Sequence, residues 1–301
     1  MRRILLSLFV LLVIVAVAVI GLYWYAQPLP VLKITTWAGK YGRAQRVAMI
    51  EPYRDIAQVD TKPGAWDGDL AEVERAVASR SYKGDVIDFE LPEAVAGCRK
   101  GLLEKFDAST LPRGAGGTVA KRDFVAGAVG DCWVASVVYS QVIVYARDKF
   151  TGRTPRTLAD FFDTARFPGR RALREGAKYN LEMALLADGV APGDVYRVLE
   201  SPEGPTRAFR KLDTIKPYLL WWHDAGEPVN WIHQGKVAFA TALSGSLFED
   251  RAFGPGVIWD RQLYEFDVFG VPRGDPNRAL AMAFIRYATG TNPLARVADW
   301  V

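Results

Sequence analysis

Between residues 31 and 98 the chain alternates short apolar strands with stretches of helical spacing, and this alternation most narrows the fold. Residues 31–37 alternate branched side chains and stop before Gly39, as a strand entering a loop does. Residues 43–56 then place Val47, Ile50 and Tyr53 on one helical face, and residues 69–79 do the same with Leu70, Val73 and Val77. Asp85-Val-Ile-Asp-Phe-Glu90 is a short apolar strand that ends on an acid, followed by a helix through Ala94 and Cys98. A βαβα succession predicts a mainly parallel sheet with helices on its faces. Further on, strands are predicted over 133–145, 170–173, 237–243 and 264–271, with helices over 157–162, 180–186, 193–199, 206–215 and 277–287. In open α/β sheets ligands sit at the carboxyl ends of the strands. Trp37, Tyr41 and Glu90 fall there.

Residues 4–25 form an uncharged apolar run directly after Arg2 and Arg3. As a helix, 22 residues span about 33 Å against a hydrocarbon core of about 30 Å. Its exit, Gly21-Leu-Tyr-Trp-Tyr-Ala26, carries bulky rings where a signal peptidase needs small residues, and Trp24 and Tyr25 suit the membrane interface. The expectation is a signal peptide or, preferably, a retained anchor within residues 1–27. The rest is then periplasmic or otherwise extracytoplasmic, tethered to the inner membrane by residues 4–25.

In that compartment an even pair of cysteines, Cys98 and Cys132, is most simply a disulfide. No metal site is expected, because His223 and His233 are not spaced with the cysteines as ligand pairs. The net charge of +4 is small and mixed along the chain, which leaves no nucleic-acid footprint. The basic cluster 166–174 is expected to be a solvated loop and strand edge.

The sequence contains no G-x-S-x-G elbow, phosphate loop, H-E-x-x-H or complete G-x-G-x-x-G, so the expectation is binding without catalysis or cofactor. A hydrolase using His223 or His233 is the catalytic rival. What the chain offers is rings and acids at strand ends: Trp37, Tyr41, Glu90, Trp133, Tyr139, Trp221, Trp222, Glu265 and Asp267. Acids that pair with ammonium groups and rings that cover methylene chains suit a cleft for a small cationic ligand.

Trp37-Ala-Gly-Lys-Tyr-Gly-Arg-Ala-Gln45 resembles the S-W-G-G-x-Y-G-x-A-Q start of family 1 extracellular solute-binding proteins of ABC transporters, the spermidine/putrescine-binding type. Asp85-Val-Ile-Asp-Phe-Glu90 resembles the D-V-V-D segment that follows in that family. Thr157-Leu-Ala-Asp-Phe-Phe-Asp163, Phe167-Pro-Gly169, Asn180-Leu-Glu-Met-Ala-Leu185, Ala208-Phe-Arg-Lys-Leu-Asp213 and Trp221-Trp222 come in the family's order. The resemblance implies a type II periplasmic-binding-protein fold of two α/β lobes joined by a hinge near Asp131 and Asp267. Lobe 1 would comprise 28–130 plus 268–301, with its C-terminal part truncated, and lobe 2 would comprise 131–267.

It also implies a monomer that holds a putrescine- or spermidine-like polyamine between the lobes and presents it to an ABC-type membrane permease. By position, Trp37 and Tyr41 resemble cleft-lining aromatics, Glu90 a polar ligand contact, and Glu265 and Asp267 the family's amine-binding positions. Cys98 and Cys132 resemble a cysteine pair found in one branch. Leu243-Ser-Gly-Ser246, with Ser244 at the cleft, stands where relatives have an aromatic-Asn-Gly element. His223 follows Trp222 where an acid is common, and the chain stops at Val301 before a Y-G-P turn and a last helix. Two alternatives stay open. One is the same fold binding an amino-acid-like or anionic solute held by arginines such as Arg174; the other is a membrane-tethered sensor without a permease.

Overall fold

The sheet that the alternation predicts is present, and it runs further than the sequence reading carried it. The computed structural model describes residues 12–16, 28–66, 68–248 and 254–300. Its strands are β1 (Val31–Thr36), β2 (Asp60–Ala65), β3 (Val86–Glu90), β4 (Val134–Tyr145), β5 (Arg171–Arg174), β6 (Leu219–Trp222), β7 (Phe239–Leu243) and β8 (Gly256–Gly270). They form one eight-stranded mixed sheet in the order β2-β1-β3-β8-β4-β7-β5-β6. The predicted parallel part is there: β1 pairs in parallel with both β2 and β3. β5 does the same with β6 and β7. Between these two parallel groups lie β4 and β8, antiparallel to each other.

β4 and β8 divide the molecule. Two core clusters form around Leu32, Ile34, Met49, Phe269 and Phe284, and around Trp66, Phe89, Leu103 and Val268. Two others form around Phe161, Leu173, Leu185 and Phe239, and around Val144, Trp222 and Ala240. The first pair draws on residues before 136 and after 265, and the second on residues 142–258. Each central strand therefore begins in one set of cores and ends in the other, an arrangement consistent with two lobes. Register shifts between Ala135 and Val137 and between Gln141 and Ile143 bracket the crossing. Such irregularities bend a strand locally and re-aim its side chains.

Differences from the sequence reading have local causes. β2, Asp-Thr-Lys-Pro-Gly-Ala, shows no apolar alternation and is mostly exposed; its Pro63 is tolerated because the strand lies at the sheet's edge. The first half of β8 carries Asp260-Arg261-Gln262 and is held by pairing with β4, so only its apolar second half was legible. The helix read over 43–56 starts earlier, at Gly39, and runs through a wide turn, Arg46–Ile50, to Ala57. A Cβ on Gly42 would lie 1.9 Å from the carbonyl oxygen of Trp37, so the glycine after Tyr41 lets this helix close down on the end of β1.

In the basic cluster Arg166 and Arg170 are exposed, as expected of a solvated edge, but Arg171 is not. Arg171 is fully buried, donating Nε to the Phe161 carbonyl at 3.1 Å and Nη2 to those of Asp163 and Phe167 at 3.3 and 2.5 Å. Its Nη1 donates to the carbonyl of Gly169, and the guanidinium lies 4.9 Å from the Phe239 ring centroid. Burial lowers its pKa to about 10, still well charged at neutral pH. Cys98 and Cys132 are joined, with Cα atoms 5.8 Å apart. Closing a loop of that span stabilises a fold by roughly 3 to 4 kcal/mol in the chain-entropy model. The anchor expected within residues 1–27 lies outside the described residues, apart from 12–16. Among the described residues no helix is long and apolar enough to cross a membrane.

Candidate functional site

Side chains alternate across a strand, so in β3 Ile87 and Phe89 enter the core while Asp88 and Glu90 share the opposite face. β8 runs antiparallel beside β3 and places Asp267 directly across from Glu90. Two residues earlier on β8, Glu265 lies opposite Tyr139 of β4. Four acids thus gather on one face where the two halves meet. All are buried: Asp88 is 0 % exposed, Asp267 6 %, and Glu90 and Glu265 8 % each.

The second half supplies the cations. Arg174 ends β5, and Asn180 donates its amide to the carbonyls of Arg174 and Gly176, both at 2.7 Å, which ties down the loop between. Arg174 Nη1 lies 3.0 Å from Glu90 Oε1, and Lys178 Nζ lies 2.6 Å from both Glu90 Oε2 and Glu265 Oε2. Tyr179 donates to Glu265 Oε2 at 2.8 Å, and its hydroxyl is 3.3 Å from that of Tyr139, which reaches Glu90 Oε1 at 3.3 Å. Tyr179 holds φ at +67°, a strained value for a bulky residue and one that recurs at functional sites.

On the first-half side, Asp88 accepts from Ser136 Oγ and Gln45 Nε2, each at 2.8 Å. Gln45 Nε2 also donates to the Tyr41 hydroxyl at 2.8 Å, and that hydroxyl is 3.1 Å from Ser136 Oγ. The Gln45 carbonyl accepts from Thr36, which fixes the amide's orientation. None of these partners is a cation.

Charge is therefore unevenly matched. Burial raises the Glu90 carboxyl's pKa, but Lys178 and Arg174 more than reverse this, so it stays ionised. Asp267 is pushed well above the ordinary value, by burial first and then by the charges of Asp88 and Glu90, and its Oδ1 is buried without a hydrogen-bond partner. Burial raises Asp88 from 3.8 to about 7. An aspartate in the unfolded chain titrates near 3.9 (roughly the model-peptide value). Between these values the folded state holds a proton that the unfolded state has lost, so this group makes stability fall as pH rises. Asp88→Asn removes that titration. Its stability relative to the parent protein should climb from about pH 4 to about pH 7 in denaturant unfolding. Parallel pH profiles for the two proteins would contradict the assignment.

The structure brings Tyr41, Glu90, Tyr139, Glu265 and Asp267 together, as the sequence suggested. It does not do so for the tryptophans. Trp37 points to the other face of β1, packing against the cluster of Trp66 and Phe89, because it alternates with Thr36, which bonds Gln45. Trp133 packs against that same cluster and donates its indole N–H to the Gly127 carbonyl at 3.1 Å. Trp222 is 1 % exposed, bonded to Thr241 Oγ1 at 3.1 Å, and is core rather than cleft. Ser244 Oγ accepts the backbone N–H of Ser140 at 3.1 Å and so braces β4 beside Tyr139. Sequence reasoning missed Gln45, Asp88, Ser136, Lys178 and Tyr179. Asp88 was accessible from alternation with Glu90; the others become neighbours only through the fold.

Buried acids, tyrosines and two cations thus meet across the crossing strands of a two-part α/β sheet, an arrangement able to hold charged groups. The chain belongs to the bacterial extracellular solute-binding proteins, whose family model matches residues 49–300. It is a periplasmic solute-binding component of an ABC-type uptake transporter, and relatives of this kind are not enzymes. The chain is 37 % identical over 260 residues to a gamma-aminobutyric acid-binding protein of Pseudomonas aeruginosa, covering 86 % of this chain and 72 % of the relative. The solved Atu4243-GABA receptor matches with TM-score 0.80 and 30 % identity, over 90 % of this chain and 81 % of that one. MotA of Agrobacterium tumefaciens B6, solved with glucopine, matches with TM-score 0.77 and 25 % identity, over 89 % and 81 %.

Proposed function

We propose that this protein captures a small zwitterion, an amino-acid-like solute with one ammonium and one carboxylate, and delivers it to an ABC-type permease. The observation that carries this reading is the charge pattern of the cleft. Four buried carboxylates face two cations, and Asp267 has an unpartnered oxygen beside Asp88. An ammonium there would return the raised carboxyls to their ionised forms, since an opposite charge nearby favours the charged state. Arg174 and Lys178 supply what a carboxylate needs at the other end. This replaces the polyamine expectation, because the same two cations would repel a second ammonium. Relatives named for gamma-aminobutyric acid support the choice. The lobes are taken as 28–130 with 268–301, and 131–267, a division that the separation of the core clusters favours.

The ammonium end is tested by Asp267→Asn. Affinity for γ-aminobutyrate should fall by about 1.5 to 3 kcal/mol, the range for a hydrogen bond to a charged group. Unchanged affinity in a folded variant would remove Asp267 from the site.

A further inference from the structure

The ammonium of Lys178 sits in a setting built for a primary amine. Its Nζ lies 2.6 Å from a carboxylate oxygen of Glu90 and 2.6 Å from one of Glu265, with the Tyr179 ring centroid 4.9 Å away. Two carboxylates and a ring face hold the ammonium in place, and its third donor is left for a solute carboxylate. The side chain is only 28 % exposed, so the pairing is not a loose surface contact. Lys178 reaches this place from the loop between β5 and the helix Asn180–Ala187, in the second half, whereas Glu90 ends β3 in the first.

Removing the Lys178 ammonium would have unequal effects. Glu90 keeps Arg174 at 3.0 Å, but Glu265 is left with the Tyr179 hydroxyl at 2.8 Å and no cation among its described partners. A buried carboxylate without a cation is strongly disfavoured. The cleft would then hold two places short of a cation, one at Glu265 and one at Asp267, on the same strand face two residues apart.

We infer that Lys178 is a tethered internal amine that fills a second ammonium position in the cleft, and so restricts the protein to solutes with a single ammonium. The inference rests on the proposed function for the class of solute. It makes Lys178 a specificity-determining residue: with it, a diamine meets one open acidic position and a fixed positive charge; without it, a diamine meets two acidic positions.

The test is calorimetric titration of the full chain, its Lys178→Met variant and its Lys178→Arg variant with γ-aminobutyrate and with 1,4-diaminobutane. The parent protein should bind γ-aminobutyrate far more tightly than the diamine. Lys178→Met should bind the diamine at least 10-fold more tightly than the parent does and γ-aminobutyrate at least 10-fold more weakly, a change of about 1.4 kcal/mol or more each way. Lys178→Arg should keep the parent's preference. A folded Lys178→Met with no gain in diamine affinity would overturn the inference, and would leave Lys178 as an ion pair between the halves. Lys178→Gln, which keeps a polar head in the site, is the second variant, and absence of a diamine gain in whichever of the two folds counts equally against it. The two ideas fail separately. The parent protein's own preference tests the solute class, and the ratio of variant to parent for the diamine tests Lys178.

Discussion

Arg174→Met is expected to weaken binding of γ-aminobutyrate by about 3 to 4 kcal/mol, a loss of several hundred-fold, within the range for truncating one partner of a buried charge pair. Two losses combine. Arg174 offers a planar fork of donors, of which only Nη1 is engaged among the described residues, on Glu90 at 3.0 Å. The remaining donors suit the paired oxygens of a solute carboxylate. Methionine removes these, and it also strips Glu90 of one of its two cations, so that a carboxyl now held low would rise. Arg174→Lys should recover part of the affinity, because a single ammonium restores the charge but not the fork. Affinity within 3-fold of the parent in a folded Arg174→Met, roughly 0.7 kcal/mol, would place the carboxylate elsewhere.

Three residues earlier on the same strand, Arg171→Met is expected to destabilise the fold by about 4 kcal/mol while leaving the site's chemistry untouched, since each buried acceptor left unsatisfied costs about 1 to 3 kcal/mol. Arg171 and Arg174 differ by an odd number of positions in β5, and alternation sends them to opposite faces. Arg171 meets the carbonyls of Phe161, Asp163, Phe167 and Gly169, which otherwise have to be buried without that donor. Arg171→Lys should not rescue it, because one ammonium cannot reach four carbonyls arranged around a planar fork. Denaturant unfolding of the three proteins checks this. A midpoint unchanged in Arg171→Met would show that the loop from 161 to 170 finds its hydrogen bonds elsewhere.

These two arginines mark what the sequence could and could not reveal. Both sit in one basic cluster, for which charge alone suggested a solvated edge, with Arg174 named only in the alternative of an anionic or amino-acid-like solute. Which residue enters a core and which a cleft is decided by the strand's register with β6 and β7, information that is not local. Acids were more legible. Glu90 ends an apolar strand and Asp267 interrupts another, and a buried acid in such a place needs a partner, so both stood out. Their meeting depends on β3 pairing antiparallel with β8, more than 170 residues away. Tryptophans misled because a large ring is equally at home in a core. Trp222 fills one, and Trp37 and Trp133 pack on the opposite side of the sheet from the acids. The parallel βαβα beginning was readable from periodicity, while β2, with its Pro63 and Gly64, was not. Likeness of the opening motif to polyamine-binding relatives pointed to a cationic ligand; Arg174 at the end of β5 and Lys178 in the loop after it support the proposed zwitterion instead.

The most direct measurement is a calorimetric titration of the full chain with γ-aminobutyrate, butyrate and 1,4-diaminobutane, which share a four-carbon skeleton and differ in their charged ends. Saturable binding of γ-aminobutyrate, with no comparable response to the carboxylate-only or the diamine-only compound, is the expected result. Saturable binding of 1,4-diaminobutane with none of γ-aminobutyrate would contradict a cleft that pairs one ammonium with Asp267 and one carboxylate with Arg174.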